Sequence, residues 1–309
     1  MRLSTWNEAG LGRIKQDIAD AFLPMVRREA PAGDPEWSSH VWKRRRRLVR
    51  WLVKRQLGKL PPQPRHAAAI RDEYASVWGR GYGRYCLTPE VNPKPWQWDR
   101  HRYWADSIAA TRFRQVILAR LIEHLKPRRV LEVGCGNGIN LILLACRFPE
   151  IEFSGLELTP AGHAAASRFQ AENATLPEHL LAYAPLPLAD PTAFRRIRFI
   201  EGTAETLPFA DGAFDLTMTV LALEQMEMIR PRALSEVVRV TGSHALLLEP
   251  FKELNGWGWR LLNRIKRHYF AGRVSELADY GLEPQYVFGD YPQEVFLRTC
   301  VALCRKRPG

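Results

Sequence analysis

The feature that most constrains the fold is an alternation of strand-like and helix-like segments that begins after Pro127. Short runs rich in Val, Ile, Leu and Phe are separated by segments with a helical pattern. Such alternation is typical of a parallel sheet whose strands are joined by helices. The predicted strands are RRVLEVGC, IEFSGLEL, RIRFIEG, FDLTMTV and HALLLEP, in chain order. The sequence therefore predicts an α/β domain.

A glycine-rich segment joins the first predicted strand to the helix that follows it. Residues 130–138 read VLEVGCGNG. Glycine permits a positive φ and lets a ligand approach the backbone, and a helix N-terminus suits an anionic group of a ligand. The spacing differs from the G-x-G-x-x-G/A of dinucleotide-binding dehydrogenases, because the third position is Ile139 or Leu141. A tight turn without a ligand is the alternative interpretation.

The pattern that this segment does match is E-x-G-x-G-x-G, from Glu132 to Gly138. In this it resembles the class I S-adenosylmethionine-dependent methyltransferases, especially the small-molecule branch that includes the ubiquinone and menaquinone methyltransferases. The resemblance covers about residues 105–250. It implies a doubly wound, seven-stranded, Rossmann-like methyltransferase sheet, whose last two strands, near 284–289 and 294–303, form an antiparallel extension. It also implies S-adenosylmethionine as the cofactor.

Further segments match the family in chain order. Glu157 ends the second strand, where a carboxylate can accept hydrogen bonds from both ribose hydroxyls. Residues 202–216 resemble the adenine-side loop, with Thr203 in the place of the usual aspartate. Residues 220–225, VLALEQ, lie where the family lines the cofactor and often has a histidine, which is absent here. The resemblance implies the cofactor-binding residues Glu132, Gly134, Cys135, Gly136, Gly138, Glu157, Leu158, Thr203, Ala204, Glu205 and Val220.

Some of these residues have purely structural interpretations as well. Glu157 as a solvated strand end is one alternative, and Glu132 as a residue that braces the loop or caps the helix is another. We interpret Cys135 as a small packing residue rather than a nucleophile. No His, Cys and Asp cluster has the spacing of a metal site, so the sequence predicts no metal.

The candidates for a catalytic base are Glu224, His101 and Tyr103. Glu224 follows the fourth strand, where it either faces the reacting centre or begins a surface helix. His101 and Tyr103 precede a predicted helix at 105–125, where the family often folds a lid over the cofactor. Ordinary packing in an aromatic cluster is the favoured alternative for both.

The positive charge is concentrated near the N-terminus. Residues 1–128 hold 26 Lys and Arg against 12 Asp and Glu, whereas residues 129–309 carry a net charge of −2. Two segments, 41–58 and 257–270, are basic and amphipathic. Solvated helix faces, docking on an anionic membrane surface and contact with nucleic acid are the three interpretations, in that order.

We expect two structural regions. Residues 1–104 are predicted to form a basic, mainly helical cap over the cofactor cleft, with irregular aromatic-rich structure from 74 to 104. Residues 105–309 are predicted to form the S-adenosylmethionine-binding methyltransferase domain. The acceptor is expected above the carboxyl ends of the parallel strands.

The predicted function is methyl transfer to an O, N or C nucleophile of a small-molecule or lipid-like acceptor, and the basic segments favour an anionic one. An RNA methyltransferase that binds phosphates through the N-terminal region is one alternative, although no N-P-P-Y tetrapeptide follows the fourth strand. A non-catalytic assembly module that retains the fold is the other.

Cysteine usage and hydropathy bear on location. Five scattered cysteines predict reduced thiols. No apolar run approaches the ~20 residues that span a bilayer, and the first thirty residues lack a secretory pattern. We therefore expect a cytoplasmic protein, with the basic helices as a peripheral contact to the inner membrane surface.

Overall fold

A seven-stranded sheet lies at the centre of the structure, a computed structural model that describes residues 2–59 and 93–308. The described strands are β1 (Val26–Glu29), β2 (Lys94–Trp98), β3 (His101–Ala105), β4 (Arg129–Val133), β5 (Glu152–Glu157), β6 (Arg198–Glu201), β7 (Phe214–Val220), β8 (Thr241–Glu249), β9 (Leu282–Phe288), β10 (Gln293–Glu294) and β11 (Cys300–Lys306). The large sheet has the order β6-β5-β4-β7-β8-β11-β9.

The pairing in this sheet confirms the predicted topology. Strands β4 to β8 pair in parallel, whereas β11 is antiparallel to both β8 and β9. The doubly wound, Rossmann-like sheet with an antiparallel extension is thus present. The last strand begins at residue 300, several residues later than predicted.

Helices cover both faces of the sheet. The described helices are α1 (Ile14–Phe22), α2 (Pro35–Gln56), α3 (Ala109–Leu125), α4 (Ile139–Arg147), α5 (Pro160–Glu172), α6 (Glu178–Tyr183), α7 (Arg230–Val240), α8 (Lys252–Asn255) and α9 (Gly258–Arg267). In β8, Leu246 and Leu248 lie in the core shared with α3 and α4, whereas Ala245 and Leu247 lie in the core shared with α7. Burial on both faces explains why the parallel strands are continuous apolar runs. Within the described ranges no helix has the length and apolarity to span a bilayer.

A second, smaller sheet joins the N-terminal part of the chain to its C-terminal part. Its order is β1-β3-β2-β10, and every pairing is antiparallel. The helices α1 and α2 agree with the predicted helical extension. The irregular structure predicted for residues 94–104 is wrong, because β2 and most of β3 lie there; the rest of that prediction, residues 74–92, falls outside the described ranges. The predicted domain boundary at 104 lies inside β3.

The basic helix α2 begins earlier than the sequence interpretation placed it. Asp34 caps the helix, and its carboxylate accepts a hydrogen bond of 2.7 Å from the backbone N–H of Trp37. Pro35 occupies the first turn, where its missing N–H has no cost. Trp37 and Leu48 are buried, and α2 packs against α9. The two basic segments of the sequence are therefore neighbours in the fold.

Candidate functional site

The turn between β4 and α4 is built from glycines in the left-handed region. The φ angles of Gly134, Gly136 and Gly138 are 78°, 58° and 77°. A Cβ at Gly134 would lie 2.5 Å from the Cβ of Ala222, and one at Gly138 would lie 2.5 Å from the ring of Phe199. These two positions therefore require glycine for space as well as for conformation. The turn presents nearly bare backbone beside the N-terminus of α4, as a site for an anionic ligand group requires.

Glu157, at the end of β5, holds this turn in place. Its Oε2 accepts a hydrogen bond of 2.9 Å from the N–H of Gly136. Its Oε1 accepts bonds from the N–H and the hydroxyl of Thr159, at 3.0 and 2.5 Å. The side chain is only 7% exposed, so the alternative of a solvated strand end is wrong. Ribose binding by this carboxylate stays a prediction.

Glu132 and Cys135 are buried on either side of the strand–turn junction. The Oε1 of Glu132 accepts a bond of 2.8 Å from Asn140 of α4, which agrees with a bracing role. Its Oε2 has no partner within the described residues, and burial raises the pKa of Glu132 to about 8. A cation beside that oxygen would favour the ionised form. Burial also raises the pKa of the Cys135 thiol well above its ordinary value, in agreement with a packing role.

The loop after β6 begins beside Glu157. The N–H of Gly202 donates to the main-chain carbonyl of Glu157 at 2.9 Å. The next residue, Thr203, is half-buried, and its hydroxyl accepts a bond of 3.2 Å from the N–H of Glu205. The structure thus brings the predicted adenine-side loop next to the predicted ribose-binding carboxylate.

The other predicted cofactor residues lie at the ends of the same strands. Leu158 follows β5 and Val220 ends β7, and both are half-buried. Ala204 is buried. The carboxylate of Glu205 lies 3.7 Å from the guanidinium of Arg232, so the two side chains form an ion pair near the surface. The glycine turn and these residues form one group at the carboxyl edge of β4, β5, β6 and β7.

Glu249, which the sequence analysis missed, shapes the loop after β7. It ends β8, is fully buried, and its carboxylate accepts hydrogen bonds from the N–H groups of Ala222, Leu223 and Glu224 at 3.0, 3.1 and 3.2 Å. Burial raises its pKa to about 7. The available signal was the carboxylate that interrupts the apolar strand HALLLEP. Its partners are backbone groups, however, which no sequence pattern identifies.

Glu224 lies in the loop that Glu249 holds. Its Oε1 accepts a bond of 2.8 Å from the side chain of Gln225, and its Oε2 has no partner within the described residues. Both residues are 7% exposed, so the alternative of a surface helix is wrong. Burial, together with the charge of Glu249, raises the pKa of Glu224 to about 8. A carboxyl group with that pKa can accept a proton near neutral pH.

His101 and Tyr103 lie in the small sheet. The Nδ1 of His101 is 2.6 Å from the carboxylate of Glu29, and its ring stacks on Tyr103. The ring of Tyr103 also contacts the edge of Phe22. Neither residue hydrogen-bonds to the glycine turn or to Glu224 in the part of the chain that the structure describes. These contacts agree with the packing interpretation.

Comparison with known proteins places this geometry in a family. Residues 131–248, from β4 to β8, match the family described as a methyltransferase domain. These residues form a class I methyltransferase domain. The resemblance based on the glycine motif is thereby confirmed, and the cofactor of this domain is S-adenosylmethionine.

The curated relatives share only part of the chain. It is 28% identical over 123 residues to the ajmaline N-methyltransferase of Rauvolfia serpentina, which is 40% of this chain and 35% of the relative. It is 28% identical over 179 residues to the malonyl-[acyl-carrier protein] O-methyltransferase of Halorhodospira halophila, or 54% and 53% of the two chains. The chain thus spans about half the length of these relatives or less. Because their names specify different methylated atoms, the similarity leaves the acceptor open.

A solved structure matches the fold over more of the chain. The [4+2]-cyclase SpnF has a TM-score of 0.52 and 17% sequence identity, over 80% of this chain and 99% of that chain. At this identity the match shows the fold alone.

The residues of the site fit S-adenosylmethionine. The two glycines whose Cβ atoms would clash leave backbone without side chains at the turn. The buried Oε2 of Glu132, which has no partner among the described residues, suits a cationic group of the ligand, and S-adenosylmethionine carries an ammonium group. Glu157 offers a fixed carboxylate for the ribose hydroxyls. These residues, with the loop at Thr203, are the ones that would hold the cofactor.

Proposed function

We propose that this chain catalyses methyl transfer from S-adenosylmethionine to an O, N or C nucleophile of a small-molecule or lipid-like acceptor. The observation that carries the proposal is the glycine turn braced by Glu157 within a methyltransferase domain. When bound, S-adenosylmethionine supplies a methyl group on a sulfonium, which keeps the electron pair of the breaking carbon–sulfur bond and leaves as S-adenosylhomocysteine. The new bond joins that methyl carbon to the acceptor.

The chain itself holds a reactant in place and supplies a base. The strand ends and the glycine turn hold one reactant in a fixed place, and such positioning can supply several kcal/mol of a barrier. Glu224 is the group that takes the proton which the acceptor loses, because it is buried, one of its oxygens has no partner in the described part of the chain, and its pKa is about 8. Its position is fixed by Glu249, which we regard as a positioning residue.

A peripheral membrane contact and a cytoplasmic location belong to the same proposal. Apolar side chains on the outer side of α2 are exposed, among them Trp42, which is 56% exposed, Val49 and Val53, and Leu57 is exposed directly after the helix. Arginines alternate with them along the helix. An exposed apolar stripe flanked by arginine supports contact with anionic headgroups.

The test is the fate of a tritiated methyl group. The chain is incubated with methyl-tritiated S-adenosylmethionine and a cell extract of its source organism, which is then separated into RNA, protein, lipid and small-molecule fractions. We expect label in the lipid or small-molecule fraction, with none above background for Glu224→Gln. Label in RNA would instead support the RNA methyltransferase, and no label in any fraction would support the non-catalytic module.

A further inference from the structure

Four cations gather where the basic helices α2 and α9 meet. They are Arg44 and Arg47 of α2, and Lys266 and Arg267 of α9; we call them the α2–α9 basic cluster. A guanidinium nitrogen of Arg44 donates to Asn263 of α9 at 2.9 Å, and the group lies over the ring of Phe296.

The cluster forms no ion pair with a carboxylate of the described residues. Within residues 2–59 and 93–308, no Asp or Glu oxygen lies within 4.0 Å of a charged nitrogen of the four. Some other arginines are paired with carboxylates, as Arg28 is with Asp34 and Arg120 with Asp17. The exposed Glu294 acts electrostatically on Arg44 without forming an ion pair.

Repulsion between like charges acts on Arg44 and Lys266. Burial, followed by the charge of Arg267, lowers the pKa of Arg44. Burial, and then the charges of Arg44, Arg267 and Arg47, lower the pKa of Lys266. Burial lowers the pKa of Arg267, but the Tyr269 hydroxyl and the charges of Glu294 and Glu224 outweigh it, so that this pKa is raised. The unfavourable charge therefore falls on Arg44 and Lys266, which are half-buried, and a bound anion would relieve their repulsion.

The cluster adjoins the candidate reaction centre. The N–H of Phe270, three residues after Arg267, donates to the main-chain carbonyl of Glu224 at 3.2 Å. The N–H of Ala271 donates to the carboxylate of Glu227 at 2.8 Å. The end of α9 is therefore joined to the loop that carries Glu224, and a guanidinium of Arg267 donates to the hydroxyl of Tyr269 in the same segment.

We propose that the α2–α9 basic cluster binds a phosphate or diphosphate group of the acceptor, while the nucleophile of that acceptor lies near Glu224. This inference rests on the proposed methyl transfer and names its substrate class. A phosphate or diphosphate fits better than a carboxylate, because it offers more than one negative charge to four cations. The planar guanidinium groups of Arg44 and Arg267 match phosphate oxygens in pairs.

The test is calorimetric titration of the full chain with inorganic pyrophosphate, in the presence of S-adenosylhomocysteine. We expect saturable binding of one pyrophosphate per chain. Arg44→Gln and Arg267→Gln should each weaken it about tenfold, since each removes a hydrogen bond between charged groups. Arg46→Gln is the matched control: it removes the same charge from the same helix, but the Arg46 guanidinium lies over Trp42 instead of meeting α9. It should change the affinity by less than about twofold.

Each further outcome has a distinct meaning. Affinity for S-adenosylhomocysteine, measured for every variant, shows that the fold is intact and tests the proposed function separately. A wild-type chain that binds S-adenosylhomocysteine but no pyrophosphate overturns the inference alone, as does an equal loss of affinity in all three variants. Vesicles of anionic phospholipid form the second arm, in which cosedimentation is measured. If Arg44→Gln and Arg267→Gln abolish cosedimentation while neither the wild-type chain nor any variant binds pyrophosphate, the cluster serves a lipid surface and the acceptor site is refuted.

Discussion

The carboxylate of Glu157 accepts a hydrogen bond of 2.9 Å from the backbone N–H of Gly136, which ties the end of β5 to the middle of the glycine turn. The second carboxylate oxygen is fixed by Thr159 at the start of α5. The position of the carboxylate and the shape of the turn therefore depend on each other. Glu157 is thus proposed to bind the ribose and also shapes the turn, and experiments can separate these two roles.

Glu157→Gln should weaken the binding of S-adenosylhomocysteine about tenfold, because the amide keeps an acceptor for Gly136 but loses the charge that strengthens hydrogen bonds from the ribose. Calorimetry measures the affinity, and thermal unfolding shows that the fold survives. Glu152→Gln, at the exposed beginning of the same strand, is the matched control and should leave the affinity unchanged. Equal affinity of Glu157→Gln and the wild type would refute the ribose assignment.

Gly134→Ala should destabilise the chain through two separable effects. A left-handed alanine costs ~1–2 kcal/mol and overpacking ~1–3 kcal/mol, and the new Cβ would lie 2.5 Å from that of Ala222. In the double variant with Ala222→Gly, the overpacking is removed and the strained φ remains. Urea unfolding of both single variants and the double variant should therefore show partial recovery. A purely additive result would contradict the clash.

The rate of methyl transfer should rise with pH and level off above about pH 8. Below its raised pKa Glu224 is protonated and cannot act as a base, so each pH unit lower should slow the reaction about tenfold. Glu224→Gln should slow it about 100-fold and remove this dependence, without changing the affinity for S-adenosylhomocysteine. The measurement is tritium transfer to the accepting fraction across the pH range. A variant with the wild-type profile would exclude Glu224 as the base.

Stability should fall as the pH rises between about 4.5 and about 8, in part because of Glu132. Its pKa is raised from 4.5 to about 8 in the folded chain. Over this window the unfolded chain loses the proton that folded Glu132 retains, so the free energy of unfolding decreases. Below the window both states are protonated, and above it the cost is constant.

Glu132→Gln removes this contribution. As the pH rises across the window, the free energy of unfolding of the wild type should fall more than that of the variant. The difference should be on the order of a few kcal/mol. Urea unfolding at several pH values measures the difference, with Glu152→Gln as the exposed control. Parallel stability curves for wild type and Glu132→Gln would show that the folded-state pKa is not raised.

The parts of the fold that the sequence predicted are those set by local signals. Buried strands such as β4 and β8 are largely apolar runs, and the glycine spacing predicts a tight turn between β4 and the helix that follows it. The proximity of the glycine turn, Glu157 and the loop at Thr203 could also be predicted, because parallel strands end at the same edge of a sheet.

The parts that were missed depend on contacts between distant segments. The two residues of β10 pair with β2 almost 200 positions earlier, and no periodic pattern marks so short a strand. Glu249 acts on backbone N–H groups that are 25 to 27 residues away in the chain. The α2–α9 basic cluster exists only because two basic segments, separately visible in the sequence, pack together in the fold.

Calorimetric titration of the wild-type chain with S-adenosylhomocysteine, with NAD as the control ligand, tests the central claim most directly. A cofactor site made of the glycine turn, Glu132 and Glu157 predicts saturable binding of S-adenosylhomocysteine, with a Kd on the order of micromolar, and no binding of NAD. Absence of S-adenosylhomocysteine binding, or preference for NAD, would contradict the account.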